Sequence, residues 1–289
     1  RKRFAAILER AYNGTVSSFS VSVGDESVLA RVLFTVRLAD PMARLPDSDP
    51  IERELAEAAR TWNEKLKEVL IERHGEADGL ALLRRVGNAF PVAYREAFDG
   101  PGAARDLAQA MAIQGGMPLG IDLHRRPGQA PHQMAVKLAR AAEPIPLSDI
   151  LPPLEAMGLR AMTETPYQLS LPDGAVWLHD FGLETADGRA VDVEAERAGF
   201  AEALGAVWTG DMESDGFNRL VLSADIEPRD VVVLRAYAKF LRQAGFPFSQ
   251  DYVERALAAH LDIAADLAAL FRARLDPALG APDSAQRLE

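Results

Sequence analysis

LRAMTETPYQL (159–169), SLPDG (170–174) and AVWLHDFGLE (175–184) follow one another directly after Gly158. The first and third stretches are rich in β-branched, aromatic and aliphatic residues. Between them Pro172-Asp173-Gly174 supplies turn chemistry, so the whole reads as a β-hairpin. The hairpin sets His179 beside Asp180 in an apolar run, which raises the question of a catalytic pair. Successive side chains of a strand point to opposite faces, so these neighbours cannot hydrogen-bond to each other as a His–Asp dyad must. The expected role of His179 is an imidazole satisfied within the sheet.

Working outward, Ser148 to Met157 reads as a helix with Ile150, Leu154 and Met157 on one face, ended by Gly158. Upstream, Leu119–His124 and Gln133–Ala141 read as strands joined through Arg125-Arg126-Pro127-Gly128. Downstream, Asp192 opens a helix carrying Val193, Phe200, Leu204 and Val207. Residues 119–209 therefore predict an α+β unit in ββαββα order with an antiparallel sheet. The first part of the chain holds a shorter version: a helix over 3–12 with Gly14 at its C-terminal cap, a strand over 15–23, a Gly24-Asp25-Glu26-Ser27 turn and a strand over 28–36. Gly14 and Gly158 lie 144 residues apart, as do Val32 and Val176, which points to an internal repeat whose first copy lacks the opening strands. Between the copies, Asp49-Pro50-Ile51-Glu52 predicts a helix capped by Asp49 and running to Arg73. Further helices are expected around 79–90 and 103–113, with Pro91 and Gly100-Pro101-Gly102 as breaks. From Phe217 onward the pattern is helical, with Val232, Ala236, Lys239 and Leu241 leading to Gly245, Ser249 capping a second helix, and Ile263, Leu267, Leu270 and Phe271 forming a last apolar stripe. The expected units are 1–37, a truncated module; 38–113, helical; 114–213, a complete module; 214–280, helical; and 281–289, a polar tail.

The chain has 289 residues, 48% of them hydrophobic and 26% charged, enough to bury a sizeable core. No window is long and apolar enough for a membrane span and no secretory leader is evident, so a cytoplasmic location is expected. The absence of cysteine excludes disulfides, thiolate zinc sites and cysteine nucleophiles. A formal net charge of −11 argues against nucleic acid. The chain opens Arg-Lys-Arg-Phe and closes Leu-Glu, as an excised piece of something longer would.

No constellation for chemistry emerges. His124 and His132 flank one turn without a third ligand at a supporting spacing. Asp192, Glu194 and Glu196 are what a helix dipole favours in its first turn. Gly100-Pro101-Gly102 is followed by Arg105 where a dinucleotide loop needs its third glycine, and there is no GxSxG. The expectation is no catalytic, cofactor-binding or metal-binding residue. Arg235, Lys239 and Arg242 share one helix face, either as a solvated surface or as a docking face for an acidic neighbour.

LERAYNG (8–14), PIPLSDILPPLEAMGLRAMTETPYQL (144–169), VWLHDFGLE (176–184), FNRLVLSA (217–224) and LRAYAKFLRQAGFPFSQDYVERAL (234–257) together resemble the large, single-chain NAD-specific glutamate dehydrogenases of bacteria. The likeness spans most of the chain and departs from the family at Leu261 and at the Gly100-Pro101-Gly102 insertion. It implies ACT-like, ferredoxin-like modules interleaved with helices, ahead of a catalytic domain not represented here. NAD then belongs to the parent enzyme and not to this fragment. The implied partners are the parent's own catalytic domain, other subunits of a homo-oligomer and an amino-acid effector. ACT-like modules of other proteins bind amino acids where a strand-to-helix loop meets a partner module, which corresponds here to Glu143, Ile145, Leu147 and Ser148. Ser148 is equally well explained as a helix cap. Three readings stay open: a regulatory and assembly region, a purely structural scaffold, and a stand-alone amino-acid sensor.

Overall fold

A computed structural model describes residues 2–23, 30–42, 44–223 and 226–275. The expected Gly24–Ser27 turn and the tail at 281–289 lie outside these. Helix α1 (Lys2–Tyr12) leads into the antiparallel pair β1 (Gly14–Val23) and β2 (Ala30–Leu38). The chain leaves α1 through Asn13, whose φ is 45°, and not through Gly14 as its cap. Asparagine tolerates this left-handed conformation. Gly14 answers a different need, because a Cβ there would lie 2.4 Å from the carbonyl oxygen of Arg37 on β2. On the apolar face of this hairpin Phe4 of α1 meets Phe34 edge-on, while Val21 and Val32 stay exposed.

The single helix expected from Pro50 to Arg73 is two. Helix α2 (Ser48–Ala59) is capped by Asp47, not Asp49, and α3 (Trp62–His74) starts afresh at Thr61. The cause is a capping box: Glu64 N–H donates to Thr61 Oγ1 at 3.2 Å, and Thr61 N–H donates to Glu64 Oε2 at 2.6 Å. Helices α4 (Glu76–Val86), α5 (Val92–Ala97) and α6 (Gly100–Gln114) follow. Gly100-Pro101-Gly102 is the first turn of α6 and not a break, capped by Asp99, which accepts from Gly102 N–H at 2.9 Å. Gly100 is there for packing. A Cβ would sit 2.6 Å from Leu66 N, so glycine lets α6 cross close over α3.

The second sheet comprises β3 (Gly120–His124), β4 (Gln133–Ala141), β5 (Leu159–Leu171) and β6 (Gly174–Thr185), with α7 (Leu147–Ala156) between β4 and β5 and α8 (Val193–Thr209) after β6. The spatial order is β3-β4-β6-β5 and every pairing is antiparallel. Taken as β4-α7-β5-β6-α8, five elements follow the ferredoxin-like order, and β3, moved to the front of the chain, occupies the place of the sixth. The expected ββαββα antiparallel α+β unit is present. Helix α7 begins at Leu147 after Pro146, without a side-chain cap; Ser148 Oγ instead donates to Asp149 Oδ1 at 2.9 Å.

A 3₁₀ turn (Gly216–Arg219) and α9 (Leu220–Ser223) lead to α10 (Pro228–Gln243), α11 (Gln250–Ala259) and α12 (Leu261–Leu275). Helices cover both faces of the four-stranded sheet. On one, Val136, Leu138, Phe181 and Leu183 pack with α7, α8 and residues such as Phe217, Val231 and Ala264 of the last helices. On the other, Tyr167, Leu169, Val176 and Leu178 pack with Leu66, Phe90, Tyr94 and Leu107 of α3–α6. The expected burial of the last stripe is reversed: Ala264 and Ala268 are buried, whereas Ile263 and Leu267 are 49% and 44% exposed. In α10, likewise, Val231, Leu234 and Ala238 face inward while Val232 and Leu241 face out. In α12 the small Ala264 and Ala268 turn inward and leave the larger apolar residues outside.

Candidate effector loop and the histidine beneath it

Strand β4 ends at Ala141, and Ala142 takes a φ of 65° while its N–H donates to the carbonyl of Ala175 at 3.0 Å. This turn throws Glu143 outward and brings Ile145 back into the core. Leu147 and Ser148, at the start of α7, are exposed. The structure therefore splits the four expected loop residues: Glu143, Leu147 and Ser148 face solvent, and Ile145 is an anchor.

The anchor is made through the backbone. Ile145 N–H donates to His179 Nε2 at 2.9 Å, so that nitrogen carries no proton, and Nδ1–H donates to Glu164 Oε1 at 2.8 Å. The ring lies almost parallel to Phe181, at 23°, and is buried. His179 is thus a neutral imidazole in a defined tautomer, tying the loop before α7 to the edge strand β5. Neighbouring Asp180 points to the opposite face, where it accepts from Arg126 Nη2 at 2.5 Å. No dyad forms.

That opposite face holds a charge cluster that sequence reading missed. Lys137, opposite both Asp122 and Asp180 across the strands, donates from Nζ to Asp106 Oδ2 of α6 at 2.5 Å, and its ammonium lies 3.6 Å from the centre of the Phe98 ring. The Tyr94 hydroxyl donates to the same carboxylate. Burial, followed by the Asp106 charge, pushes the Tyr94 hydroxyl well above its ordinary range. Every charge here has a partner, as burial requires. The available signal was Lys137 itself, the one charged residue in the otherwise apolar run MAVKLA (134–139). His124 comes near Asp122 at 3.6 Å, and among the described residues no group of three metal-ligating side chains exists.

Four family models match the chain in succession: glutamate dehydrogenase ACT2 domain over residues 1–63, helical motif 2 over 69–113, ACT3 domain over 118–196 and helical motif 3 over 212–277. The chain belongs to the glutamate dehydrogenase ACT and helical-motif family. It is 36% identical over 278 residues to the NAD-specific glutamate dehydrogenase of Halomonas elongata, covering 96% of this chain and 17% of that protein. The corresponding figures are 40% over 252 residues, 86% and 15% for Pseudomonas aeruginosa, and 35% over 298 residues, 96% and 18% for Mycobacterium tuberculosis. The chain thus spans less than a fifth of the length of these relatives.

In these terms the loop at 142–147 and His179 fall within the ACT3 match, and Arg235, Lys239 and Arg242 within helical motif 3. Arg235 is buried: its Nε donates to Asp215 Oδ2 at 2.7 Å and its Nη2 to Asp215 Oδ1 at 2.8 Å. Lys239 Nζ donates to Glu213 Oε2 at 2.6 Å. Both clamp α10 to the segment ahead of the 3₁₀ turn. Arg242 is exposed, with no ion pair among the described residues. The acidic trio at the start of α8 is led by a cap, Asp192 accepting from Glu194 and Ala195 N–H.

Proposed function

We propose that this chain is a non-catalytic regulatory and assembly region of an NAD-specific glutamate dehydrogenase acting in the cytoplasm. The parent reaction would be oxidation of L-glutamate by NAD and water to 2-oxoglutarate, ammonium and NADH, carried out by a catalytic domain elsewhere in the parent chain. One connection carries the regulatory part: Ile145, His179 and Glu164 bind the loop at 142–147 to the edge strand β5. With both sheet faces covered, a ligand can address ACT3 only at loops and edges. An amino acid with its carboxylate at the exposed N–H groups opening α7 would act on the Ile145–His179 bond and so on the β5 edge.

We place dinucleotide binding outside this chain: its nearest approach to a dinucleotide loop, Gly100-Pro101-Gly102, begins with a glycine pressed against the α3 backbone. No helix is long and apolar enough to cross a membrane among the described residues. The assembly part rests on helical motif 3, where Tyr237, Phe240, Leu241 and Leu267 present an exposed apolar surface over a groove of about 390 Å³. We assign that surface to the parent's own catalytic domain or a neighbouring subunit.

A thermal-melt panel with individual amino acids, 2-oxoglutarate, NAD and NADH tests the reading. A ligand at a hundred times its dissociation constant adds about 2.7 kcal/mol, a shift of a few degrees. An amino-acid shift that Glu143→Gln or Ser148→Ala reduces is expected, with none from NAD. An NAD shift would overturn the placing of the cofactor elsewhere, and a flat amino-acid panel would leave the scaffold reading.

A further inference from the structure

We propose that the cleft between the ACT3 module and helical motif 3 is a binding site for a small aliphatic dicarboxylate. It is a cavity of about 260 Å³ at the C-terminal end of α7, one helix length from the effector loop and separate from it. Three guanidinium groups line it, those of Arg189, Arg219 and Arg255, in a chain whose net charge is −11.

The three are not equivalent. Arg189 is engaged: Nη2 donates to Asp187 Oδ2 at 2.6 Å and Nη1 to the Ser223 carbonyl at 3.2 Å, bridging module and helices. Asp187 answers to this. Its burial would raise its pKa, but the Arg189 hydrogen bonds and charge prevail and hold it below the usual carboxylate range. Arg255 pairs with Asp251 at 2.9 Å on the outer surface, where its side chain is 66% exposed. Such a pair contributes little and can be exchanged for another carboxylate. Arg219 has no ion pair among the described residues, and its Nε is buried without a hydrogen-bond partner. A half-buried guanidinium on the wall of the cleft with no anionic partner among the described residues marks Arg219 as the anchor for an anion. Gly158, with φ 77°, makes room for it: a Cβ there would come 3.3 Å from Arg219 Cβ.

The ligand class follows from these groups. A guanidinium presents a planar fork that matches a carboxylate or a phosphate. A phosphate calls for several free donors converging on one point, whereas here one half-buried cation is unpaired and a second stands at the rim. Two carboxylates on a short chain suit that arrangement, and Met157, Leu159 and Leu222 offer apolar wall to the methylenes between them. The volume lies below the roughly 300–1,000 Å³ of sites for drug-sized ligands. Because the walls come from two different units, an occupant would favour the arrangement in which they are closed together.

Isothermal titration calorimetry of the 289-residue chain with glutarate, and separately with inorganic phosphate, tests this. Glutarate should bind saturably, phosphate should not, and Arg219→Gln should weaken glutarate by about tenfold or more. Ala259→Leu fills the mouth from α11 without touching Arg219 and should also abolish binding, while Glu143→Gln in the effector loop should leave it unchanged. Melts by circular dichroism establish that each variant is folded, and Ala259→Leu keeps the test decisive if Arg219→Gln is not. No saturable heat with glutarate, or unaltered affinity in folded Ala259→Leu, would overturn the site. Phosphate binding in place of glutarate would overturn the ligand class.

Discussion

At the scale of single residues, His179 occupies a core position of a volume that leucine would fill about as well, yet it holds two hydrogen bonds that leucine cannot make. His179→Leu leaves Ile145 N–H buried and Glu164 without its donor. A loss of about 1–3 kcal/mol is expected in urea denaturation, with the loop before α7 exchanging its amide protons faster. Unchanged stability and exchange would show that the bond holds nothing. His124 gives a pH signature. Burial lowers its pKa below the ordinary 6.5; the Asp122 backbone hydrogen bond and the charges of Asp122 and Asp180 pull it up, and Lys137 pushes it down. The unfolded chain therefore takes up the proton first. Stability from this residue is fully present above about pH 6.5 and falls as pH drops from there through the folded value. His124→Asn should flatten the urea midpoint between about pH 7 and 5.5 relative to wild type; an identical slope in the variant would exclude His124 as its source. The alternation rule already separated His179 from Asp180 in the sequence. Nothing local revealed that Glu164, fifteen positions earlier on another strand, would receive the imidazole proton.

At the scale of elements, hairpins and helix stops were the most legible features because their signals are local. Pro172-Asp173-Gly174, Gly158, Asp192 and Ser249 act within a few residues of themselves. The break at Arg60–Thr61 was also written locally, as Thr61-x-x-Glu64, but a continuous apolar period from Ile51 to Val69 masks it. Two helices that follow each other with only Arg60 and Thr61 between them can share in sequence a period that one helix would also produce. Thr61→Ala removes the cap at the start of α3 and should cost about 1 kcal/mol in chemical denaturation. A change within error would mean that packing of Leu66 and Leu70 alone sets the start of that helix. In α10 and α12 the period was right and the buried side was wrong. Apolar spacing identifies a face, and a helix with alanines on one flank and large residues on the next offers two candidate faces. Packing chose Ala264 and Ala268 in α12, and Val231, Leu234 and Ala238 in α10.

At the scale of the whole molecule, the four-stranded sheet is a shared wall between two helical layers, and among the described residues apolar surface lies outside it at Val21, Val32 and Leu33 of the β1–β2 hairpin and on the outer side of α10 and α12. Tyr237 and Phe240 are 49% and 63% exposed, so Tyr237→Glu with Phe240→Glu should leave unfolding free energy within about 0.5 kcal/mol of wild type for each change while reducing self-association in sedimentation at high concentration. Association that persists undiminished would move the contact to the hairpin. Composition, strand period, turn residues and helix ends were sufficient by themselves for the α+β class, the ββαββα order and the repeated unit, because each depends on residues near one another in the chain. Which helix face is buried, which charges pair and where cavities open depend on groups dozens of positions apart. Lys137 meets Asp106 and Arg235 meets Asp215 only after the sheet and helices have packed. The expected basic face at Arg235, Lys239 and Arg242 became largely an internal clamp for that reason, and Arg219 was left facing a cleft that exists only when two units close on each other.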